Sequence, residues 1–220
     1  MIPNKIFIIG LPRTATTSIC VAMLELGFKT AHTAYVNKCF EQAQVIADTP
    51  VFSHYQALDK LYPNSLFINL TRELNVWRPS IRQLLTRMLV NLQRCDGGFN
   101  PIIKQAFNQT FTGLSEAKLA DDEYLNICYN KHQNQIQQYF MNRPNDLLSI
   151  DISHTGSFLK LRQFLAMHAL VTNNHFQTDD KCRGFKHINI GGKVTAWQKI
   201  KHPLKAESTR HGKIDKLSFV

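Results

Sequence analysis

No apolar run among the 220 residues approaches the roughly 18 residues that a membrane-spanning helix requires. The run Ile6 to Ile9 is also too short for the apolar region of a secretory signal, and no cleavage pattern follows it. A soluble, cytoplasmic chain with no membrane partner is therefore expected. Cysteine is scarce and scattered: Cys20, Cys39, Cys95, Cys128 and Cys182 make an odd set of five without a C-x-x-C pair. That disfavours a disulfide scaffold and a zinc site alike, and no metal is expected. Cys20 lies within a helical pattern and reads as a small core residue. Glycosylation patterns begin at Asn69 and Asn108, but a cytoplasmic setting makes them irrelevant. The chain has no internal repeat and no low-complexity tract.

What the chain does have is ample apolar material, 44% of its residues, enough for the core of one domain spanning 1–220. It is also basic, with a formal net charge of +10. Residues 179–220 hold ten Lys or Arg against four Asp or Glu, so most of the excess sits there. This segment reads as largely irregular and is expected to lie over a ligand site, where its charge suits a polyanionic ligand and is compatible with an acidic acceptor. A solvated basic face would look the same. Its aromatic residues (Phe185, Trp197, Phe219) are too sparse for a base-stacking platform, so nucleic acid is not the expected partner.

The segment Lys5 to Ser18 carries the most information. Ile6 to Ile9 are apolar and mostly β-branched, as a central parallel strand requires. Gly10 starts a turn and Pro12 stiffens it. Thr14, Thr16, Thr17 and Ser18 then surround a helix N-terminus, whose outward N–H groups and partial positive charge suit an anion. A nucleotide-hydrolase loop would place Lys where Thr16 stands; here the cation comes early, at Arg13. The simplest alternative is a strand–turn–helix junction with hydroxyl caps. A second apolar run, Leu66 to Leu70, leads to Arg72, and Ser80 follows eight residues later with Trp77 between. A guanidinium fork and a hydroxyl suit a phosphate monoester. Arg72 pairing with Glu73 or Asp48 is the structural alternative.

The stretch Gly10 to Ser18 resembles the 5′-phosphosulfate loop of sulfotransferases, and Arg72 with Ser80 resembles their 3′-phosphate motif in order and spacing. Ile190 to Trp197 is similar to their third motif in degraded form. Gly192 and Trp197 fall in register, Ile190 and Gly191 replace the family's Arg and Lys, Thr195 and Ala196 replace its second Gly and its Asp, and Lys193 is placed to supply the missing charge. The neighbourhoods of residues 47–63 and 147–165 look like the small, mostly microbial sulfotransferase-like branch. The resemblance implies an α/β fold of the P-loop nucleoside-triphosphate-hydrolase type, a parallel sheet flanked by helices. It implies 3′-phosphoadenosine 5′-phosphosulfate as donor, adenosine 3′,5′-bisphosphate as product, and a small-molecule or glycan acceptor. Arg13, Thr14, Ala15, Thr16, Thr17, Ser18, Arg72, Ser80, Gly192 and Lys193 are then the donor-binding set. Golgi members of the family carry an N-terminal membrane anchor, and none is read here.

Transfer needs a cation at the leaving oxygen and a proton acceptor. Arg13 takes the first role. No His stands where cytosolic relatives place their base, and Asp48 is within two residues of that position. A cap, or a partner for Arg13 or Arg72, is the alternative for Asp48. His32 and His54 are further candidates for the base and for lining the acceptor pocket. Two other functions remain: a P-loop kinase for a small metabolite, and a non-catalytic nucleotide- or nucleic-acid-binding protein. The pattern predicts helices over 16–26, 36–46, 115–141 and 157–167, strands over 28–30, 66–70 and 147–152, Pro79 in a helix's first turn, and a breaker over 96–101.

Overall fold

A computed structural model describes residues 5–171, 184–186 and 196–220. Ile6–Ile8 form β1, flanked by β3 (Val45–Ala47) and β4 (Leu66–Leu70), both parallel to it, with Phe7 opposite Ile46 and Phe67. β2 (Thr30–Ala31) adds to β3, and β5 (Leu147–Ile150) adds to β4. The five-stranded order is β2-β3-β1-β4-β5, all parallel. Apolar residues fill both faces of the three central strands because helices cover both. This is the α/β, P-loop-like arrangement.

On one face α1 (Thr16–Glu25) and α8 (Ser157–Met167) pack Ile19, Met23, Leu161 and Leu165 on Ile6, Ile8 and Ile68. On the other, α2 (Asn37–Gln42), α3 (Val51–Leu61) and α7 (Asp122–Phe140) set Phe40, Leu58, Ile136 and Phe140 on Phe7 and Phe67. Each such fully buried aromatic or aliphatic side chain contributes about 1.5–3 kcal/mol. A third cluster joins α4 (Leu74–Gln93), α5 (Pro101–Thr110) and α6 (Glu116–Ala120) to α7 through Trp77, Leu85, Phe107, Leu119 and Leu125, with Leu11 and Phe52 entering from the sheet's end.

The helices expected over 16–26 and 157–167 are present, the first closed by Gly27 at φ 90. Several expectations are corrected. The helix over 36–46 stops at Gln42, since Val45 and Ile46 are needed as the rung between β2 and β1. The strand over 28–30 moves to Thr30–Ala31. The helix over 115–141 breaks at Asp121, whose side chain accepts from Glu123 N–H and starts α7, while Ser115 caps α6. Pro79 lies inside α4 rather than in its first turn. The breaker at 96–101 ends in the start of α5, capped by Asn100 with Pro101 first in the helix. β5 ends at Ile150 and only that residue is buried, as suits an outer strand.

Beyond a short helix α9 (Ala196–Lys199), the chain passes alongside β2 at residues 204–206 and continues past the residues that follow it. Thr30 N–H donates to Leu204 O, Ala206 N–H to Thr30 O and Tyr35 N–H to Ser208 O, each at 2.9 Å. Among the described residues no helix is long and apolar enough to cross a membrane.

Candidate active site

The chain leaves β1 toward β2 and β3 on one side, then crosses to β4 and β5 on the other. The carboxyl ends of β3, β1 and β4 therefore meet at the switch in strand order, the usual ligand crevice of such sheets. Asp48 follows β3, the loop 10–15 follows β1, and Arg72 follows β4 two residues on. Three stretches read separately in the sequence thus become neighbours.

The loop is shaped by close approach and by its left-handed residues. A Cβ on Gly10 would meet Leu70 Cβ at 2.5 Å, so only glycine lets the loop press on the end of β4. Arg13 and Ala15 both hold φ 73. At the threshold of α1 the Cβ of Ala15 bears the steric cost of the left-handed region, as that of Arg13 does within the loop. Thr14 is buried and donates its hydroxyl to Leu11 O at 2.7 Å, closing the turn. Ser18 turns its N–H onto Ala15 O at 3.0 Å. Thr16 and Thr17 are buried in the first turn of α1.

Arg13 Nε donates to Ser80 Oγ at 2.8 Å, and Arg72 Nη1 donates to Arg13 O at 2.7 Å. Trp77 Nε1 donates to Pro12 O at 3.0 Å. The two candidate anion-binding pairs are therefore one cluster. Burial, then the charges of Arg72 and Arg87, lower the pKa of Arg13, while Asp48 opposes them. An arginine starts so far above neutrality that it stays charged.

Opposite this cluster, Thr16 Oγ1 donates to Asp48 Oδ2 at 3.2 Å, and Asp48 Oδ1 accepts from Thr49 N–H and hydroxyl at 2.8 and 3.1 Å. Asp48 is also left-handed, at φ 62. His32 Nε2 stands 3.1 Å from Thr16 Oγ1, 3.0 Å from Thr17 Oγ1 and 3.7 Å from Asp48 Oδ2. Burial pulls the His32 pKa below its ordinary value, the Asp48 charge pulls it back, and Lys205 adds to the lowering. Trp197 lies over His32 with ring centroids 5.5 Å apart, and Lys205 Nζ donates to Trp197 O at 2.8 Å. The C-terminal segment thus reaches the site through Trp197 and Lys205. Gly192 and Lys193, and most of 179–195, lie outside the described residues.

His54 sits apart from this group. It lies at a kink in α3, with Ser53 Oγ 2.8 Å from its Nδ1 and Gln105 Nε2 3.4 Å from its Nε2, and it meets the Phe219 ring edge-on. Burial lowers its pKa. Past Arg72 opens a cavity of about 430 Å³ lined by Arg72, Tyr129, Asp151, His154, Ser157 and Lys160, among others. Among the described residues no group of three or more His, Cys, Asp or Glu is arranged to hold a metal ion.

Sequence reasoning missed two residues that shape the site. Tyr129 binds the main chain of Arg72, and His132 Nε2 donates to Ile9 O at 2.8 Å, directly before Gly10. Both sit on α7, about 60 residues beyond Arg72 in the case of Tyr129, and nothing local marks them.

A parallel sheet in this order, with a glycine-started turn between β1 and α1, defines an α/β protein of the P-loop-like class. A family model described as a sulfotransferase domain matches residues 5–37 and 33–170, and the chain belongs to that family. No curated protein matches it.

Proposed function

We propose that this chain transfers a sulfuryl group from 3′-phosphoadenosine 5′-phosphosulfate to a hydroxyl or amine of a small-molecule or glycan acceptor. The convergence of Arg13, Arg72 and Ser80 carries the reading. Two guanidiniums and a hydroxyl within one hydrogen-bonded cluster, beside a helix N-terminus, suit a nucleotide bearing anionic groups at two places. The donor set fits that ligand: Arg13, Thr16 and Thr17 would hold the phosphosulfate, Arg72 and Ser80 the 3′-phosphate, and the 430 Å³ cavity beyond Arg72 is of nucleoside size.

When bound, the donor supplies an activated sulfuryl group whose leaving group is its 5′-phosphate. Arg13 and the N-terminal end of α1 place fixed positive charge where the bridging oxygen turns anionic. Arg13 does so without releasing a proton. Asp48 Oδ2 accepts the proton of the attacking group. Its Oδ1 is held by Thr49, so the carboxylate is oriented before the acceptor arrives. His32 is neutral at ordinary pH and secures the Thr16 and Thr17 hydroxyls. Trp197 and Lys205 close that side of the site.

The test is thermal shift and calorimetry with adenosine 3′,5′-bisphosphate, AMP, ADP and ATP. The bisphosphate should stabilise the chain most. Arg72→Ala should lower its affinity about tenfold to a hundredfold, as expected for a lost charge-assisted pair, while AMP affinity changes little. A larger response to magnesium-ATP, or an equal loss for AMP, would overturn the assignment.

A further inference from the structure

Arg72 lies just past the end of β4, where the ladder of the sheet runs out. The last rung is Thr71 N–H on Ile150 O at 2.9 Å. The next main-chain N–H and C=O belong to Arg72, and a side chain from α7 takes both. Tyr129 Oη accepts from Arg72 N–H at 2.9 Å and donates to Arg72 O at 3.0 Å. One hydroxyl thus does for Arg72 what a neighbouring strand does for the residues before it. Burial raises the Tyr129 pKa, so the phenol keeps the proton that it donates.

The same tyrosine is locked from behind. Its ring packs on Trp77 with centroids 4.8 Å apart, and the indole of Trp77 donates to Pro12 O. The guanidinium of Arg72 donates in turn to Arg13 O. The main chain of Arg72 and two successive carbonyls of the loop are therefore tied into one block through Tyr129 and Trp77. An arginine whose backbone is fixed at both polar groups keeps only its side-chain torsions free. Less freedom is then lost when it closes on an anion.

We propose that Tyr129 is a positioning residue that sets the affinity for the 3′-phosphate by holding the backbone of Arg72. The proposal rests on the reading of Arg72 given under Proposed function. It adds that the selectivity of the site is built partly by α7, without a hydrogen bond from Tyr129 to the ligand. Tyr129→Phe isolates the idea, because it keeps the ring against Trp77 and along the cavity and removes only the hydroxyl.

The experiment compares calorimetric affinities for adenosine 3′,5′-bisphosphate and AMP in wild type, Tyr129→Phe and Tyr139→Phe. Tyr139 is the control. It lies on the same helix and donates to Asp59 Oδ2 at 2.8 Å, away from Arg72. Tyr129→Phe should weaken the bisphosphate about tenfold, the equivalent of one or two net hydrogen bonds, and AMP less than twofold. Tyr139→Phe should lower the melting temperature and leave both affinities in place. Equal losses for the two nucleotides, unchanged bisphosphate affinity, or the same selective loss in Tyr139→Phe would each overturn the proposal. A wild type that does not prefer the bisphosphate to AMP would remove the parent reading itself, and Arg72→Ala would then be silent as well.

Discussion

His132 makes the fold acid-sensitive at the root of its candidate site. Its Nε2 donates to Ile9 O, the last carbonyl before the loop, which places the hydrogen of the neutral ring on that nitrogen. Burial presses its pKa from the ordinary 6.5 down to about 4, and the bond to Ile9 O only partly offsets this. In the unfolded chain the ring takes up a proton near pH 6.5; in the folded chain it resists until about pH 4. The unfolded state therefore binds more protons across that window. The contribution is fully present above pH 6.5 and is lost as pH falls toward 4. At about 1.4 kcal/mol per unit, the span amounts to about 3 kcal/mol, a large part of a typical domain's stability. The measurement is urea unfolding at a series of pH values from 7.5 to 4 for wild type and His132→Gln. Glutamine keeps an N–H donor for Ile9 O and does not titrate. His32 and His54 add to the acid limb of both proteins, so only the difference belongs to His132. The variant should lose about 3 kcal/mol less than wild type over the window. Superimposable curves would refute the reasoning.

Two further outcomes are expected. Asp48→Asn should depress turnover at least a hundredfold with little change in bisphosphate affinity, measured by steady-state rates beside calorimetry; if His54→Ala does this and Asp48→Asn does not, the proton acceptor is misassigned. Ala15→Gly should raise stability by about 0.5 kcal/mol, since relief of the left-handed strain outweighs the freedom glycine adds to the unfolded chain, and a lowered melting temperature would contradict that balance.

Where the sequence was readable, a short period or a spacing carried the signal. β1 is a continuous apolar run and β4 one interrupted only by Asn69, both covered by helices on two sides, and α8 shows an apolar stripe. Arg72 and Ser80 stand at a spacing that α4 converts into a shared partner, Arg13, whose carbonyl accepts from Arg72 and whose guanidinium donates to Ser80. The illegible parts are those that tertiary partners decide. Residues 43–47 favour neither helix nor strand strongly, and the gap between β2 and β1 makes Val45–Ala47 a strand. Asn100 and Pro101 were a helix start read as a break, because the glycines before them dominated. Asp121 divides a pattern that looks continuous, through one side-chain cap. Tyr129 and His132 are an ordinary tyrosine and histidine on a polar helix. Only the packing of α7 against the ends of β1 and β4 gives them partners.

The hydrogen bonds between residues 204–206 and Thr30 have a consequence for how this molecule meets others. β2 is two residues long and outermost, and an uncovered strand there would offer its free amide and carbonyl as a template for a foreign chain. Leu204 and Ala206 occupy both groups. The same ribbon brings Trp197 over His32. Proteolytic release of this ribbon would therefore unroof the candidate site and create a sticky border in one event, so that exposure of the site and self-association would proceed together.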